Sequence, residues 1–164
     1  MDEKTIQLIF ELAINWETQA RDLYANFANL FNHEPKVSAF WIQLSKDESQ
    51  HIVVLKDILN KLSTEKRLMK IGNEQWTSVT RVEGLIKEAI TRKVSTLDDA
   101  YELAHQMEMS ELNTLFKLIV NDYHPDDEGQ RFILSDVKEH IERLMKFGKE
   151  YTQSERMRIK VSHI

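Results

Sequence analysis

Apolar residues return every three or four positions along four segments, the rhythm of helices that each bury one face in a bundle. The first row is Ile6, Phe10, Ala13, Glu17, Ala20, Tyr24, Phe27 and Phe31. The second is Val37, Trp41, Leu44, Glu48, His51, Leu55, Ile58 and Leu62. The third is Leu97, Tyr101, Ala104, Glu108, Glu111, Leu115 and Leu118, and the fourth is Ile133, Val137, His140, Leu144, Phe147 and Tyr151. These rows predict helices over residues 3–31, 35–62, 97–122 and 127–151. Pro35 suits the first turn of the second helix. Thr96, with Asp99 three residues on, suits an N-cap for the third. His124-Pro125-Asp126 separates the third from the fourth.

The connections then set the topology. Short links join helices one and two, and helices three and four, so each pair is expected to be antiparallel. Residues 63–95 are long enough to cross the bundle and carry a helical stretch of their own near 79–92. Two helical hairpins joined by one long crossover make an all-α, ferritin-like antiparallel four-helix bundle, expected over residues 1–152 with a tail at 153–164. The crossover is amphipathic through Trp76, Val79, Val82, Leu85, Ile86 and Ile90. That face needs cover. Packing on its own bundle is the simpler expectation, and a homodimer seam is the alternative.

Six residues on the inward rows do not belong in an apolar core: Glu17, Glu48, His51, Glu108, Glu111 and His140. Each lies near the middle of its helix, so antiparallel pairing brings all six to one level. Four buried, unpaired carboxylates would each cost several kcal/mol or take up a proton. No Lys or Arg shares the seams with them, and a bound cation would remove the cost. Carboxylate and imidazole without thiolate suit iron or manganese, with zinc as a substitute. A lone seam glutamate is more often solvent-lined, and Glu-x-x-His is common by chance. The inference rests on six such residues at one level.

Two stretches are near repeats. Asp47-Glu48-Ser49-Gln50-His51 places a carboxylate and an imidazole one helical turn apart on one face. Asp136-Val137-Lys138-Glu139-His140 keeps the histidine and puts valine where the carboxylate would stand. His140 alone would read as a core histidine, and its case rests on this match. Asp136 is a candidate substitute ligand, although it lies on the row beside the seam. Tyr24, Trp41 and Phe116 read as core aromatics. His105 reads as a flanking group. His33, His124 and His163 lie in loops or the tail, and Met107, Met109, Met145 and Met157 read as packing residues.

Composition narrows the classes. The chain has 164 residues, enough for one domain with a real core, and only four Gly and two Pro, too few for a turn-rich β architecture. A net charge of −5 leaves no basic footprint for nucleic acid. No apolar run approaches the ~18 residues of a membrane span. The N-terminus Met1-Asp2-Glu3-Lys4 lacks a signal-peptide pattern, which makes cytoplasm the default expectation. The absence of cysteine excludes disulfides, thiol catalysis, Cys-based zinc sites and iron–sulfur clusters.

With these residues in view, the chain resembles the rubrerythrin-like branch of the ferritin-like superfamily over nearly its whole length. Ala13-x-x-x-Glu17-x-x-Ala20-x-x-x-Tyr24 is similar to that family's first helix, with its ligand glutamate and nearby tyrosine. Asp47-Glu48-x-x-His51 is similar to its bridging glutamate and terminal histidine. Ala104-x-x-x-Glu108-x-x-Glu111 resembles its extra-glutamate arrangement, and His140 its last-helix histidine. Departures are Val137 at the second bridging position, Leu115-Phe116 where a tyrosine is usual, and no cysteines for a rubredoxin domain.

The resemblance implies a diiron centre reducing peroxide or dioxygen with electrons from an external donor. Glu48 would bridge, Glu17 and Glu108 would be terminal ligands, His51 and His140 the nitrogen ligands, and Glu111 a carboxylate that moves with metal charge. A second bridge would come from Glu111, solvent or Asp136. Two further readings stand beside this one. One is a non-catalytic or iron-handling protein holding one ion or an incomplete pair. The other is a helical interaction module that has lost its metal, against which the retained buried acids argue.

Overall fold

The computed structural model describes residues 4–111 and 127–162. Among them are seven helices: α1 (Ile6–Leu30), α2 (Pro35–Lys61), α3 (Thr64–Leu68), α4 (Asn73–Thr91), α5 (Leu97–Glu111), α6 (Asp127–Glu150) and α7 (Gln153–Arg158). The expected end of the third helix, with Leu115, Phe116 and Leu118, lies outside the described residues. So do His124, Pro125 and His163, and the side chains of Glu111 and Ile133. No described helix is long and apolar enough to cross a membrane.

Local chemistry accounts for the helix ends. Thr5 caps α1, its Oγ1 accepting from Leu8 N at 3.3 Å. Pro35 opens α2, where its missing N–H would have had no helical partner. At α5, Thr96 Oγ1 accepts from Asp99 N at 3.1 Å, and Asp99 Oδ2 accepts from Ser95 N and Thr96 N at 2.9 Å each. Burial would raise the Asp99 carboxyl, but these backbone donors hold it below the ordinary value.

Helices α1, α2, α5 and α6 form the all-α ferritin-like bundle. α1 and α2 pack along their lengths as the first hairpin, and α5 meets α6 in the second. The crossover differs from its expected form. Ser63 caps the short α3, and α4 starts at Asn73, six residues before the expected 79. Gln75 Oε1 accepts from Gly72 N at 3.0 Å and satisfies the helix start there. α4 buries Val79, Val82, Ile86 and Ala89 against α1 and α5, while Trp76 and Leu85 of its apolar face are half-buried and Ile90 is exposed.

The expected tail folds back onto the bundle. Thr152 and Glu155 form a capping box that starts α7. Beyond it, Leu97 N donates to Ile159 O at 2.9 Å, Val161 N to Ser95 O at 3.1 Å and Ser162 N to Leu30 O at 2.7 Å. Arg156 is buried beneath this segment, its Nε bound to Asp98 Oδ1 at 2.9 Å. Periodicity missed the docking because it rests on backbone pairing and one buried ion pair.

Candidate metal centre

Apart from Thr5 and Arg156, the buried polar side chains among the described residues lie in one layer. Glu17 of α1, Glu48 and His51 of α2, Glu108 of α5 and His140 of α6 are each no more than 4% exposed. Alanines lie one turn away on either side of Glu17, at 13 and 20, and one turn before Glu108, at 104; all three are buried. Their small side chains leave room within the helix interfaces for the longer polar ones.

The layer resolves into two groups that share one residue. Glu17, Glu48 and His51 offer ligand atoms all within 4.8 Å of one another, and so do Glu48, Glu108 and His140. His51 Nδ1 lies 2.9 Å from Glu48 Oε2 and 3.4 Å from Glu17 Oε2. His140 Nε2 lies 3.0 Å from Glu108 Oε1 and 3.3 Å from Glu48 Oε1. The imidazole centroids are 5.5 Å apart. Glu48 therefore stands between two acid–imidazole sets.

Two further acids face the imidazoles, each reaching across from the other helix. Asp136 of α6 lies 3.2 Å from His51 Nε2, and Asp47 of α2 lies 3.5 Å from His140 Nδ1. Arg143 in turn donates to Asp47. Asp136, weighed above as a substitute ligand, thus faces the outer nitrogen of His51. Asp47 and Arg143 had no sequence-based role. The signal for Asp47 was the aspartate that opens both near repeats. Tyr24, read as a core aromatic, also reaches the layer: its hydroxyl donates to Glu108 Oε1 at 2.5 Å.

Val137 is buried one turn before His140 and offers no donor. His105 stays outside the layer, its ring centroid 6.0 Å from that of Tyr101. His33 is exposed. Glu111 continues α5 one turn beyond Glu108, but its side chain lies outside the described residues.

Proton positions follow from the crowding of charge. Burial pushes the Glu48 carboxyl well above the usual range, and the charges of Glu17 and Glu108 push it further. Burial also acts to raise Glu17, but a hydrogen bond from Glu48 and the nearby His51 leave it lowered. Burial would favour neutral His51, yet Glu17, Asp136 and Glu48 raise it well above its ordinary value. His140 behaves alike: against burial, Glu108 and Asp47 push it up to about 11. Without metal, the layer balances its acids by taking up protons.

The donor set fits a metal pair. Glu48 Oε1 and both ring nitrogens of His140 are buried with only ion-pair contacts at 3.0–3.5 Å, none of them with hydrogen-bond geometry. Such atoms are costly to bury unless something binds them. Oxygen and imidazole donors without thiolate suit iron, manganese or zinc.

Comparison with known proteins gives one match. A family model described as Rubrerythrin matches residues 9–148. Neither the curated proteins nor the solved structures give a match.

Proposed function

The chain belongs to the rubrerythrin family, and from that premise we propose that its buried layer holds a dinuclear non-haem metal centre, with iron as the resident metal. Glu48 would bridge the two ions. Glu17 and His51 would hold one, Glu108 and His140 the other. The sharing of Glu48 between two acid–imidazole sets carries this reading. Glu111 would be a further, mobile carboxylate. We further propose that the centre reduces hydrogen peroxide or dioxygen, with electrons from an external protein donor.

When bound, the iron pair would supply the electrons that cleave the oxygen–oxygen bond. The chain's own groups do the rest. Asp136 and Asp47 hold the imidazoles by their outer nitrogens, which fixes the rings and raises their basicity. Arg143 neutralises Asp47 and so moderates that effect on His140. The Tyr24 hydroxyl shares charge with Glu108 and places a proton at the edge of the layer. Burial on four helices keeps bulk water away and strengthens each of these interactions.

A second reading has one observation in its favour. Val137 stands one turn before His140 and offers no donor, so the layer would hold a single ion or an inert pair. Metal content and peroxide turnover together separate the two. Protein purified with added iron should contain two irons per chain and consume peroxide anaerobically, with an oxo-bridge absorption band after oxidation. One ion per chain, or two ions without peroxide consumption, would establish the second reading. No bound metal would refute both.

A further inference from the structure

An aromatic file leads away from the layer toward the end of the bundle that carries α7. Tyr24 donates its hydroxyl to Glu108 at 2.5 Å. Its ring stacks on Trp41 at 5.8 Å between centroids, with 27° between planes. Trp41 meets Phe147 at 5.9 Å, and Phe147 meets Tyr151 at 4.9 Å. Phe40 closes the gap, stacked on Phe147 at 3.9 Å and edge-on to Trp41 at 5.0 Å. Tyr24 and Trp41 are fully buried, and Tyr151 is half-buried near the surface.

We propose that Tyr24, Trp41 and Tyr151 form a relay that carries single electrons between the metal-binding layer and the surface of the bundle. The proposal rests on the metal centre proposed above. Tyrosine and tryptophan are the side chains most readily oxidised by one electron among those in the file. Phenylalanine is not, so Phe147 acts as a packed spacer between Trp41 and Tyr151.

Each stop has a proton arrangement that fits its place. Tyr24 gives one electron to the peroxide-oxidised metal pair while its hydroxyl proton moves to Glu108. Trp41 then returns an electron to Tyr24, and the proton comes back from Glu108. Trp41 Nε1 is buried with no hydrogen-bond partner, so the oxidised indole keeps its proton and stays a short-lived cation. Tyr151 reduces that cation and releases its own proton to water. An external one-electron reductant and a proton from solvent restore Tyr151. Two such passages deliver the two electrons that, with two protons, convert one peroxide to two waters.

The surface stop is Tyr151 and not Tyr101, although both flank Phe147. The guanidinium of Arg156 sits 4.1 Å above the Tyr101 ring. That cation interacts favourably with a neutral ring and opposes removal of an electron from it. Burial and nearby acids raise both hydroxyls, Glu102 and Asp98 at Tyr101 and Glu34, Glu150 and Glu155 at Tyr151, so the guanidinium over the Tyr101 ring is what separates the two.

The test uses the iron-loaded protein mixed with excess hydrogen peroxide in the absence of reductant, so that the metal pair alone cannot supply every electron the peroxide takes, and frozen rapidly for electron paramagnetic resonance. A tyrosyl radical should form, its lines narrowed in protein containing ring-deuterated tyrosine, and Tyr151→Phe should abolish it. Trp41→Phe keeps the packing but removes the middle stop. It should suppress the Tyr151 radical and leave a fast-relaxing signal from Tyr24 beside the iron. A Tyr151→Phe spectrum identical to the parent's, or an undiminished Tyr151 radical in Trp41→Phe, would overturn the relay. Iron content and peroxide consumption in the same samples separate the two levels. Iron and consumption without any tyrosyl radical overturn the relay alone, whereas absence of both overturns the metal centre and the relay with it.

Discussion

Loading the layer with metal should expel about two protons per chain near neutral pH, one each from His51 and His140, with Glu48, whose carboxyl is also raised, adding to the count as pH falls. Metal coordination needs a deprotonated carboxylate and neutral imidazoles, whereas in the metal-free fold all three groups are shifted toward their protonated forms. Burial and the neighbouring acids shift Glu48, and the surrounding acids shift both histidines against burial. Displacing two protons makes the overall affinity for the ion pair rise about a hundredfold per pH unit, or about 2.7 kcal/mol. Calorimetric titration of the metal-free protein with cobalt(II) or zinc(II), repeated in buffers of different ionisation enthalpy, reads the proton count from the slope. A count below one would refute the reasoning, because the layer would then already be in its metal-ready protonation state.

The same shifts fix how metal-free stability depends on pH. Each group has a folded-state pKa above its unfolded value, so the folded state binds more protons than the unfolded one. Its contribution is complete below the unfolded pKa and is lost as pH rises toward the folded value. For Glu48 that loss begins near 4.5, and for the histidines near 6.5, extending for His140 to about 11. Metal-free protein should therefore melt at progressively lower temperature from neutral to alkaline pH, by about 1.4 kcal/mol per pH unit for each such group. Metal-loaded protein should show little of this dependence.

Further outcomes follow from individual side chains. Glu48→Ala should abolish tight uptake of the pair, whereas Asp136→Ala should keep two ions at ~10–100-fold lower affinity; equal losses in a cobalt titration would make Asp136 a ligand. Val137→Glu should lower the metal-free melting temperature, by roughly a few kcal/mol of stability, and tighten binding of the metal pair. If the parent already holds two and neither its metal affinity nor its activity changes, another donor completes the site. Arg156→Ala should destabilise the fold by about 3–5 kcal/mol in thermal melts, because it leaves Asp98 and the carbonyls of Gly148 and Tyr151 without their donor. Its metal content per folded chain should stay unchanged.

The bundle was legible in the sequence because helix burial writes itself in three-and-four spacing. Glu17, Glu48, His51, Glu108 and His140 were legible for a related reason: polar residues at seam positions interrupt an otherwise apolar row. Asp47, Asp136 and Arg143 fall one or more positions off the seam, where spacing cannot distinguish a solvated side chain from one reaching across to another helix. Tyr24 lay on the seam and looked like packing, because its ring is packing and only its hydroxyl reaches Glu108. The docking of residues 153–162 depends on backbone pairing with Ser95 and Leu97, distant in sequence and unmarked by periodicity. The start of α4 was hidden by Gly72, which reads as a break until Gln75 is seen to satisfy its N–H.

The near repeat takes on a sharper meaning once the helices are placed. The aspartate that opens each copy serves the histidine that closes the other: Asp47 faces His140, and Asp136 faces His51. The residue after each aspartate turns into the core, as Glu48 in one copy and Val137 in the other. Imidazole orientation is thus provided twice, and a central carboxylate once. A carboxylate at 137 would join Glu17, Glu48 and Glu108 in a layer that already pushes the Glu48 carboxyl well above the usual range, and without metal it too would need a proton or a partner. Valine removes that cost and fills the space with apolar surface. The metal-free fold gains stability from this choice, and a metal pair in the layer must then take one of its contacts from a group other than residue 137.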